Sequence, residues 1–311
     1  MLEVFYFDKG LKKGDIFKAG RYKKPLWVDA TGITKEEVER LGKQFGLHPV
    51  TEEDIHKSRV RIKVEEFQSY IFCVFYGIDP ESTSLAELDF VLGRDFVITN
   101  HRKMLTSFEE LKKDPDRLEL LLRKGPDFVF HRLLELELEN YLPVLEHIDD
   151  QVESIENQVA KKPTQKLVSQ ILALKRTITL IRKAALPQRE KLSFLAKNEY
   201  SFVTKKAVPY FRDLYDHSIN ISDSIDNSRD YVGNAFEVYM SAVSNNMSSV
   251  MKFFSMIATI ALPLTVISSI YGTNFRNLPG AEYVYGFWLM IAAMLFLSMI
   301  MLISFKWRDW S

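Results

Sequence analysis

The residues best able to contact an ion lie where a long uncharged run ends: Tyr271, Gly272, Thr273 and Asn274. Between Lys252 and Arg276 no side chain is charged, and this run contains no histidine or cysteine either. Strong dehydration of Mg²⁺ requires hard oxygen ligands, above all carboxylates. The neutral amide oxygen of the asparagine can instead hydrogen-bond a cation that keeps its water shell. Gly and Asn also commonly end helices, so the spacing alone is a weak signal.

A stripe of small, weakly polar and unbranched side chains runs along the same segment. Its members recur every three or four residues: Met251, Ser255, Ala258, Leu262, Thr265 and Ser269. This spacing places them on one face of a helix. Because a single hairpin cannot enclose a polar path, the face lines a pore only if several copies assemble. Close helix packing in membranes selects similar residues, and periodicity alone favours packing over pore lining.

Two uncharged runs, 253–271 and 283–305, are long enough to cross a bilayer, which takes about 20 apolar residues. The short external loop 272–282 makes them a hairpin. Basic residues flank the hairpin at Lys252, Lys306 and Arg308, whereas the loop carries only Arg276 and Glu282. The positive-inside rule therefore places both termini in the cytoplasm. Interfacial aromatic residues are expected at Tyr283, Tyr285, Trp288, Trp307 and Trp310.

The composition limits the possible functions of the remaining chain. The 311 residues include 41 basic and 41 acidic side chains, and this balance argues against nucleic-acid binding. The only cysteine, Cys73, excludes an internal disulfide and fits a reducing compartment. No signal peptide, P-loop, nucleophile elbow or zinc-hydrolase motif is visible. We therefore expect a cytosolic, non-enzymatic region with no organic cofactor.

Residues 1–125 alternate strand and helix signals and predict a small cytosolic α/β or α+β domain. The β-rich runs are Leu2–Phe7, Pro25–Ala30, Tyr70–Gly77 and Leu88–Thr99. A helix is predicted over Thr34–Phe45. Thr34 and Glu37 have the spacing of a capping box, and Gly46 follows as a stop signal.

Residues 126–207 predict an antiparallel helical hairpin, with an acidic helix over Phe128–Ala160 and a basic one reaching Lys197. Opposite charges suggest that the two helices attract. Two solvated faces are at least as good an interpretation, because exposed ion pairs are weak. A stalk helix is predicted over 208–252. If it continues past Pro263 to Gly272, it is roughly 95 Å long. A basic tail, 306–311, ends the chain.

At Tyr271–Asn274 the sequence resembles the CorA family of divalent-cation channels, whose signature is Gly-Met-Asn after a tyrosine. The similarity includes SNNMSSVMKFFSMIATIALPLTVISSIYGTNF, at 244–275, and further segments at 48–55, 61–67, 90–103 and 208–217. The resemblance implies an α+β cytosolic domain followed by long α-helices and a two-helix transmembrane hairpin, assembled as a CorA-like pentameric funnel. It implies a homopentamer that contacts membrane lipids and divalent cations in the cell membrane.

The same resemblance assigns roles along the first span. Gly272 and Asn274 match the entrance motif that receives the hydrated ion. Met251, Leu262 and Thr265 match pore-lining positions, and the first two correspond to a hydrophobic gate. Ser248 stands where an asparagine often lies at the cytosolic pore mouth, which puts that role in doubt.

Three acidic residues match positions that bind regulatory Mg²⁺ between neighbouring subunits: Glu53, Asp54 and Asp213. The implied mechanism is feedback, in which bound Mg²⁺ neutralises facing carboxylates and holds the funnel closed. Read without the family, Glu53 and Asp54 begin a helix, where acids favour the dipole. Asp213 is then a solvated residue of the stalk.

One departure from the family signature leaves the transported ion open. Thr273 replaces the central methionine, and its hydroxyl adds a donor and an acceptor near the hydration shell. The leading prediction is a passive channel for Mg²⁺, with Co²⁺ as a further ion. Alternatives are a Zn²⁺, Co²⁺ or Ni²⁺ transporter of the ZntB type and a non-conducting, membrane-anchored metal sensor.

Overall fold

The structure is a computed structural model that describes residues 1–16, 18, 22, 25–57, 60–197, 200–274, 278–280 and 283–307. Its strands are β1 Leu2–Phe7, β2 Leu11–Gly14, β3 Leu26–Thr31, β4 Lys63–Glu66, β5 Tyr70–Ile78, β6 Leu85–Gly93 and β7 Phe96–His101. Its helices are α1 Lys35–Phe45, α2 Pro49–His56, α3 Thr106–Lys113, α4 Pro115–Lys124, α5 Pro126–Glu139, α6 Tyr141–Lys161, α7 Gln165–Ala196, α8 Val208–Tyr271 and α9 Gly286–Trp307.

The chain divides into two compact units. The sheet unit comprises Met1–Gln158 and Thr164–Phe236, and the span unit comprises Val159–Pro163 and Glu237–Ser311. Each is described by itself below.

The sheet unit is built on a seven-stranded sheet in the order β2-β1-β3-β7-β6-β5-β4. Only β3 and β7 pair in parallel; the other neighbours are antiparallel. Apolar side chains from α1 and α2, including Val38, Leu41 and Ile55, share one core cluster with the sheet. Another set of contacts joins Phe90 of the sheet to Phe108 of α3 and Phe130 of α5.

The four predicted β-rich runs all contain strands, but one of them is two strands. The run Leu88–Thr99 is interrupted at Arg94 and Asp95, where β6 turns back to β7. These turn residues give a weaker signal than the Asn-Gly or Asp-Gly pairs that favour tight hairpins. The polar edge strands β2 and β4 were not predicted, because their sequences, LKKG and KVEE, lack a run of apolar residues.

The first helix confirms the prediction from its capping residues. The Thr34 hydroxyl accepts a hydrogen bond from the Glu37 amide, and the Glu37 carboxylate accepts one from the Thr34 amide. Gly46 ends α1 in the left-handed conformation, with φ of 70°. Cys73 is buried in β5, as expected for a small core residue.

The predicted single helix Phe128–Ala160 is wrong. The structure divides it into α5 and α6, and the division falls at Asn140. Pro143 lies in the first turn of α6, where the missing proline N–H is tolerated; inside a helix it could not bond the carbonyl of Glu139.

The helices that follow agree more closely with those predicted from the sequence. The second helix of the predicted hairpin corresponds to α7, which is 32 residues long, and α8 continues for 64 residues with Pro263 inside it. Since α8 is continuous across residue 252, the structure does not test the predicted boundary between the stalk and the first membrane span. Among the described residues, the ion pair found between α7 and another helix joins Arg182 to Asp226 of α8 at 2.8 Å, and does not involve the acidic helix.

Two helices, α8 and α9, are long and apolar enough to cross a membrane by length and composition. The second begins at Gly286 rather than at Tyr283, because the preceding residues form turns.

A cluster of buried and half-buried charges lies in the sheet unit beside β1 and β3. The Lys112 ammonium lies 2.6 Å from Asp29, 2.7 Å from Glu3 and 2.7 Å from Glu109. Burial by itself would lower the pKa of Lys112, but these carboxylates raise it above its usual value. Burial likewise acts to raise the pKa of Asp29, yet the hydrogen bond and charge of His101, with the charge of Lys112, lower it.

We expect Lys112→Met to destabilise the sheet unit by about 3–5 kcal/mol, because it leaves three carboxylates around a partly dry site without their cation. Thermal unfolding of the full-length protein in detergent measures this as a fall in Tm. The matched control is Lys113→Met, which changes the exposed neighbour. Equal Tm values for the two variants would contradict a stabilising role for the cluster.

Candidate functional site

The C-terminal end of α8 carries the predicted entrance motif: Tyr271, Gly272, Thr273 and Asn274. All four residues are exposed. The carbonyl of Ile270 accepts two hydrogen bonds from Thr273, one from the amide at 3.2 Å and one from the hydroxyl at 2.7 Å. The hydroxyl proton is therefore occupied, and Thr273 can present only acceptor lone pairs to a hydrated ion.

Gly272 is held against the helix rather than in an open turn. Its amide donates to the carbonyl of Ser268 at 2.9 Å, and it does not adopt a left-handed conformation. A Cβ added at this position would lie 3.2 Å from the same carbonyl oxygen, which is tight. Glycine here provides clearance beside the backbone, and the exposed Asn274 follows directly.

A side-chain hydrogen bond ties the loop to the end of α8. The Tyr271 hydroxyl donates to the carbonyl of Pro279 at 3.0 Å. Gly280 follows with φ of +80°, a conformation that favours glycine. The loop residues Arg276 and Glu282, like Arg308 and Trp310 of the tail, lie outside the described residues.

The predicted stripe lies on the face of α8 that its own chain leaves open. All six members are exposed, with Met251 at 62% and Leu262 at 68%. The half-buried positions between them also recur at helical spacing: Met256, Ile260, Pro263, Leu264 and Ile267. At 100° per residue, the centres of the two sets are about 160° apart around the helix. The face that packs within the span unit is thus not the stripe.

The regulatory candidates Glu53 and Asp54 lie in the second half of α2, which begins at Pro49. The alternative interpretation, that they start a helix, is therefore wrong. Glu53 pairs with Lys57 at 2.5 Å, and both side chains are largely exposed. Asp54 pairs with Lys63 at 2.6 Å. Burial acts to lower the pKa of Lys63, but hydrogen bonds from its ammonium to Asp54 and to a neighbouring glutamate raise it.

Asp213 is exposed on the first turns of α8. It lies within electrostatic range of His131: burial lowers the pKa of His131, while the charges of Glu135 and Asp213 act to raise it. The neighbouring Arg212 donates to the carbonyl of Ala196 at 3.3 Å.

The single chain does not gather the three regulatory candidates into one group. In the part of the chain that the structure describes, three acidic side chains approach closely enough to share an ion only at Glu3, Asp29 and Glu109. The Lys112 ammonium already occupies that position.

The lysines that pair with the acidic candidates were not predicted from the sequence. Lys57, the C-cap residue of α2, follows Glu53 by four residues, a spacing that does predict an ion pair. Lys63 belongs to β4, and its approach to α2 is a tertiary contact without a local sequence signal.

Comparisons with known proteins identify the family. The model of the CorA-like Mg²⁺ transporter protein family matches residues 22–306. The cobalt/magnesium transport protein CorA of Thermotoga maritima is 34% identical over 295 residues, covering 92% of this chain and 83% of that protein. The chain belongs to the CorA family.

Solved structures show the CorA fold over the whole chain. The complete CorA magnesium transporter of Methanocaldococcus jannaschii matches with a TM-score of 0.88 and 22% identity, covering 100% of this chain and 99% of that one. The predicted fold class is confirmed. The cytoplasmic domain of ZntB from Vibrio parahaemolyticus matches with a TM-score of 0.65 and 11% identity, covering 79% and 97%. At that identity the likeness concerns the fold alone.

Removing the hydroxyl of Tyr271 should loosen the loop that follows α8 in this CorA-family protein. We expect Tyr271→Phe to raise amide hydrogen exchange across 278–280 and 283–286 by about fivefold, since one hydrogen bond contributes about 1 kcal/mol. Mass spectrometry of the protein in detergent measures the exchange. Tyr283→Phe makes the same chemical change nearby and serves as control. Unchanged exchange in Tyr271→Phe would mean that the bond does not hold the loop.

Proposed function

We propose that this CorA-family protein is a divalent-cation channel that takes up Mg²⁺ passively, with Co²⁺ as a further ion, as a homopentamer. The observation that carries the proposal is the orientation of α8. Its stripe of small and weakly polar residues faces away from the half-buried positions of the same chain, so the stripe is available to face a central axis or neighbouring copies. A relative that is 34% identical is named a cobalt/magnesium transport protein.

The entrance motif supports recognition of a hydrated ion. Each copy contributes one exposed Asn274 directly after the helix end. Its amide oxygen can accept hydrogen bonds from first-shell water, and the lone pairs of Thr273 can do the same. A ring of neutral oxygens leaves the ion its water, which suits Mg²⁺ because Mg²⁺ dehydrates reluctantly.

The pore of the proposed pentamer is lined by the stripe, with Met251 and Leu262 as the hydrophobic gate. Hydrophobic constrictions stop ions by excluding water. Thr265 is less polar than its sequence suggests, because its hydroxyl donates to the carbonyl of Ala261 at 2.8 Å. Both termini lie in the cytoplasm in this arrangement, and α9 faces lipid.

The proposed regulation places Mg²⁺ between Glu53 and Asp54 of one subunit and Asp213 of the next. Bound Mg²⁺ joins the subunits and keeps the channel closed, whereas its loss leaves facing carboxylates that repel. In the single chain Lys57 and Lys63 are the partners of the first two acids. Mg²⁺ must compete with these ammonium groups, so they set the concentration at which feedback begins.

Flux into proteoliposomes tests the channel and its ion together. We expect wild-type protein to carry Mg²⁺ and Asn274→Ala to lose about tenfold or more of the flux, because each copy gives up a hydrogen bond to the hydrated ion. Mg²⁺, Co²⁺, Ni²⁺ and Zn²⁺ are supplied separately, without nucleotide. Asn246→Ala, earlier on α8, is the matched control.

The other outcomes distinguish the alternatives. Zn²⁺ flux without Mg²⁺ flux would place the protein with transporters of the ZntB type, an idea motivated by Thr273. No flux from an assembled oligomer would favour the metal sensor.

The feedback has its own test in Asp213→Asn. We expect this variant to keep conducting when Mg²⁺ inside the liposomes is high, because the intersubunit ion loses one anionic ligand. Asp223→Asn, also exposed on α8, should remain inhibited like the wild type. Normal inhibition in Asp213→Asn would exclude this residue from the regulatory site.

A further inference from the structure

A cavity of about 430 Å³ opens in the sheet unit, away from the regulatory candidates. It lies among the residues that join β5 to β6, the start of α3 and the end of α5. Its charged lining consists of five carboxylates and a single lysine: Asp79, Glu81, Glu110, Glu137, Glu139 and Lys103. Such a lining attracts cations.

Glu137 is the buried member of this set, with only 3% of its surface exposed. Its Oε1 accepts a hydrogen bond from the hydroxyl of Ser107, which also lines the cavity. Its Oε2 is buried and, within the described part of the chain, has no hydrogen-bond partner. A Cβ on Gly77 would collide with this oxygen, so the glycine makes room for the carboxylate.

In the described part of the chain, no lysine or arginine forms an ion pair with Glu137. Burial raises the pKa of Glu137 to about 7, and the bond from Ser107 and the charge of His101 offset this only in part. A buried carboxylate without a cation is unfavourable when ionised. Asp79, by contrast, is satisfied by its own turn: it accepts hydrogen bonds from the amides of Glu81 and Ser82.

We propose that this cavity binds a hydrated divalent cation, with Glu137 as the buried anchor and the exposed carboxylates as its rim. The ion keeps water because three acidic ligand atoms do not converge here among the described residues. A cavity of 430 Å³ has room for it, since a water takes about 30 Å³ and six waters about 180 Å³. Mg²⁺ typically retains several waters.

The site is separate from the proposed transport and feedback sites. Glu53, Asp54 and Asp213 do not line the cavity, nor does any residue of the entrance motif. A cation bound there joins α3, α5 and the β5–β6 connection, and so stabilises the sheet unit when divalent cations are abundant.

Binding of Mn²⁺ to the full-length protein in detergent tests the site. The bound ion is counted by electron paramagnetic resonance at pH 8, in the wild type and in Glu137→Gln. The amide keeps the size of the side chain and an oxygen that accepts from Ser107. To leave out the feedback ion, the same comparison is repeated in an Asp213→Asn background.

We expect Glu137→Gln to lose one Mn²⁺ per chain, or to bind it more than about tenfold more weakly, since a buried anionic ligand becomes neutral. Mn²⁺ should also raise the Tm of the wild type more than that of the variant. Glu146→Gln, on the exposed face of α6, is the control and should bind as the wild type does. Mg²⁺ should displace the bound Mn²⁺.

Equal Mn²⁺ binding by wild type and Glu137→Gln would overturn the proposal and leave Glu137 a protonated core residue. If Glu137→Gln does not fold, the exposed rim variant Glu81→Gln/Glu110→Gln decides. The site requires several-fold weaker binding in the rim variant, and unchanged binding would refute it. Because no flux is measured, failure of the transport proposal leaves this result unaffected.

Discussion

The cost of removing a charge from water governs both compact units of this protein. In the span unit, the apolar parts of α8 and α9 contain no charged side chain between Phe253 and Tyr271 or between Gly286 and Phe305. A charged side chain there would cost much free energy, so only neutral oxygen atoms are available to contact a cation. In the sheet unit, charged side chains do occur in the interior when they are paired with opposite charges. Lys112, for example, forms ion pairs with three carboxylates. Charged and polar side chains therefore lie where water or a counter-charge is available to them.

The same constraint explains why the sites differ in chemistry. Asn274 lies in the open beyond the helix end and needs no partner within the protein to remain stable. Glu53 and Asp54 are anionic and are held near lysines, which makes any metal they bind a competitor of an existing ion pair. Glu137 is a buried carboxyl group, and among the described residues no lysine is paired with it. Across the three proposed sites, the need for an external cation thus increases with burial.

The features that the sequence predicts are those with local causes. Thr34 and Glu37 identify the start of α1 because a capping box acts within one turn, and the membrane-length runs follow from side chains in sequence. The continuity of α8 through Pro263 is predictable because no other breaker occurs there. Family resemblance predicts an entrance motif at Tyr271–Asn274, but not the use of the Thr273 hydroxyl. The break at Asn140 has a local signal in Pro143, whereas the pairing of Lys63 with Asp54 and the cavity around Glu137 depend on tertiary contacts. Local periodicity carries no information about those.

The two edge strands have a consequence for how the protein avoids aggregation. The sheet ends at β2 and β4, and an open sheet edge can pair with another chain. Both edges carry charges, with Lys12 and Lys13 on one side and Lys63, Glu65 and Glu66 on the other. During synthesis the whole sheet emerges well before the first membrane-length run, so it is exposed among other nascent chains. At that stage, repulsion between like charges on neighbouring copies disfavours edge-to-edge pairing. The polar composition that made these strands hard to predict therefore also protects against aggregation.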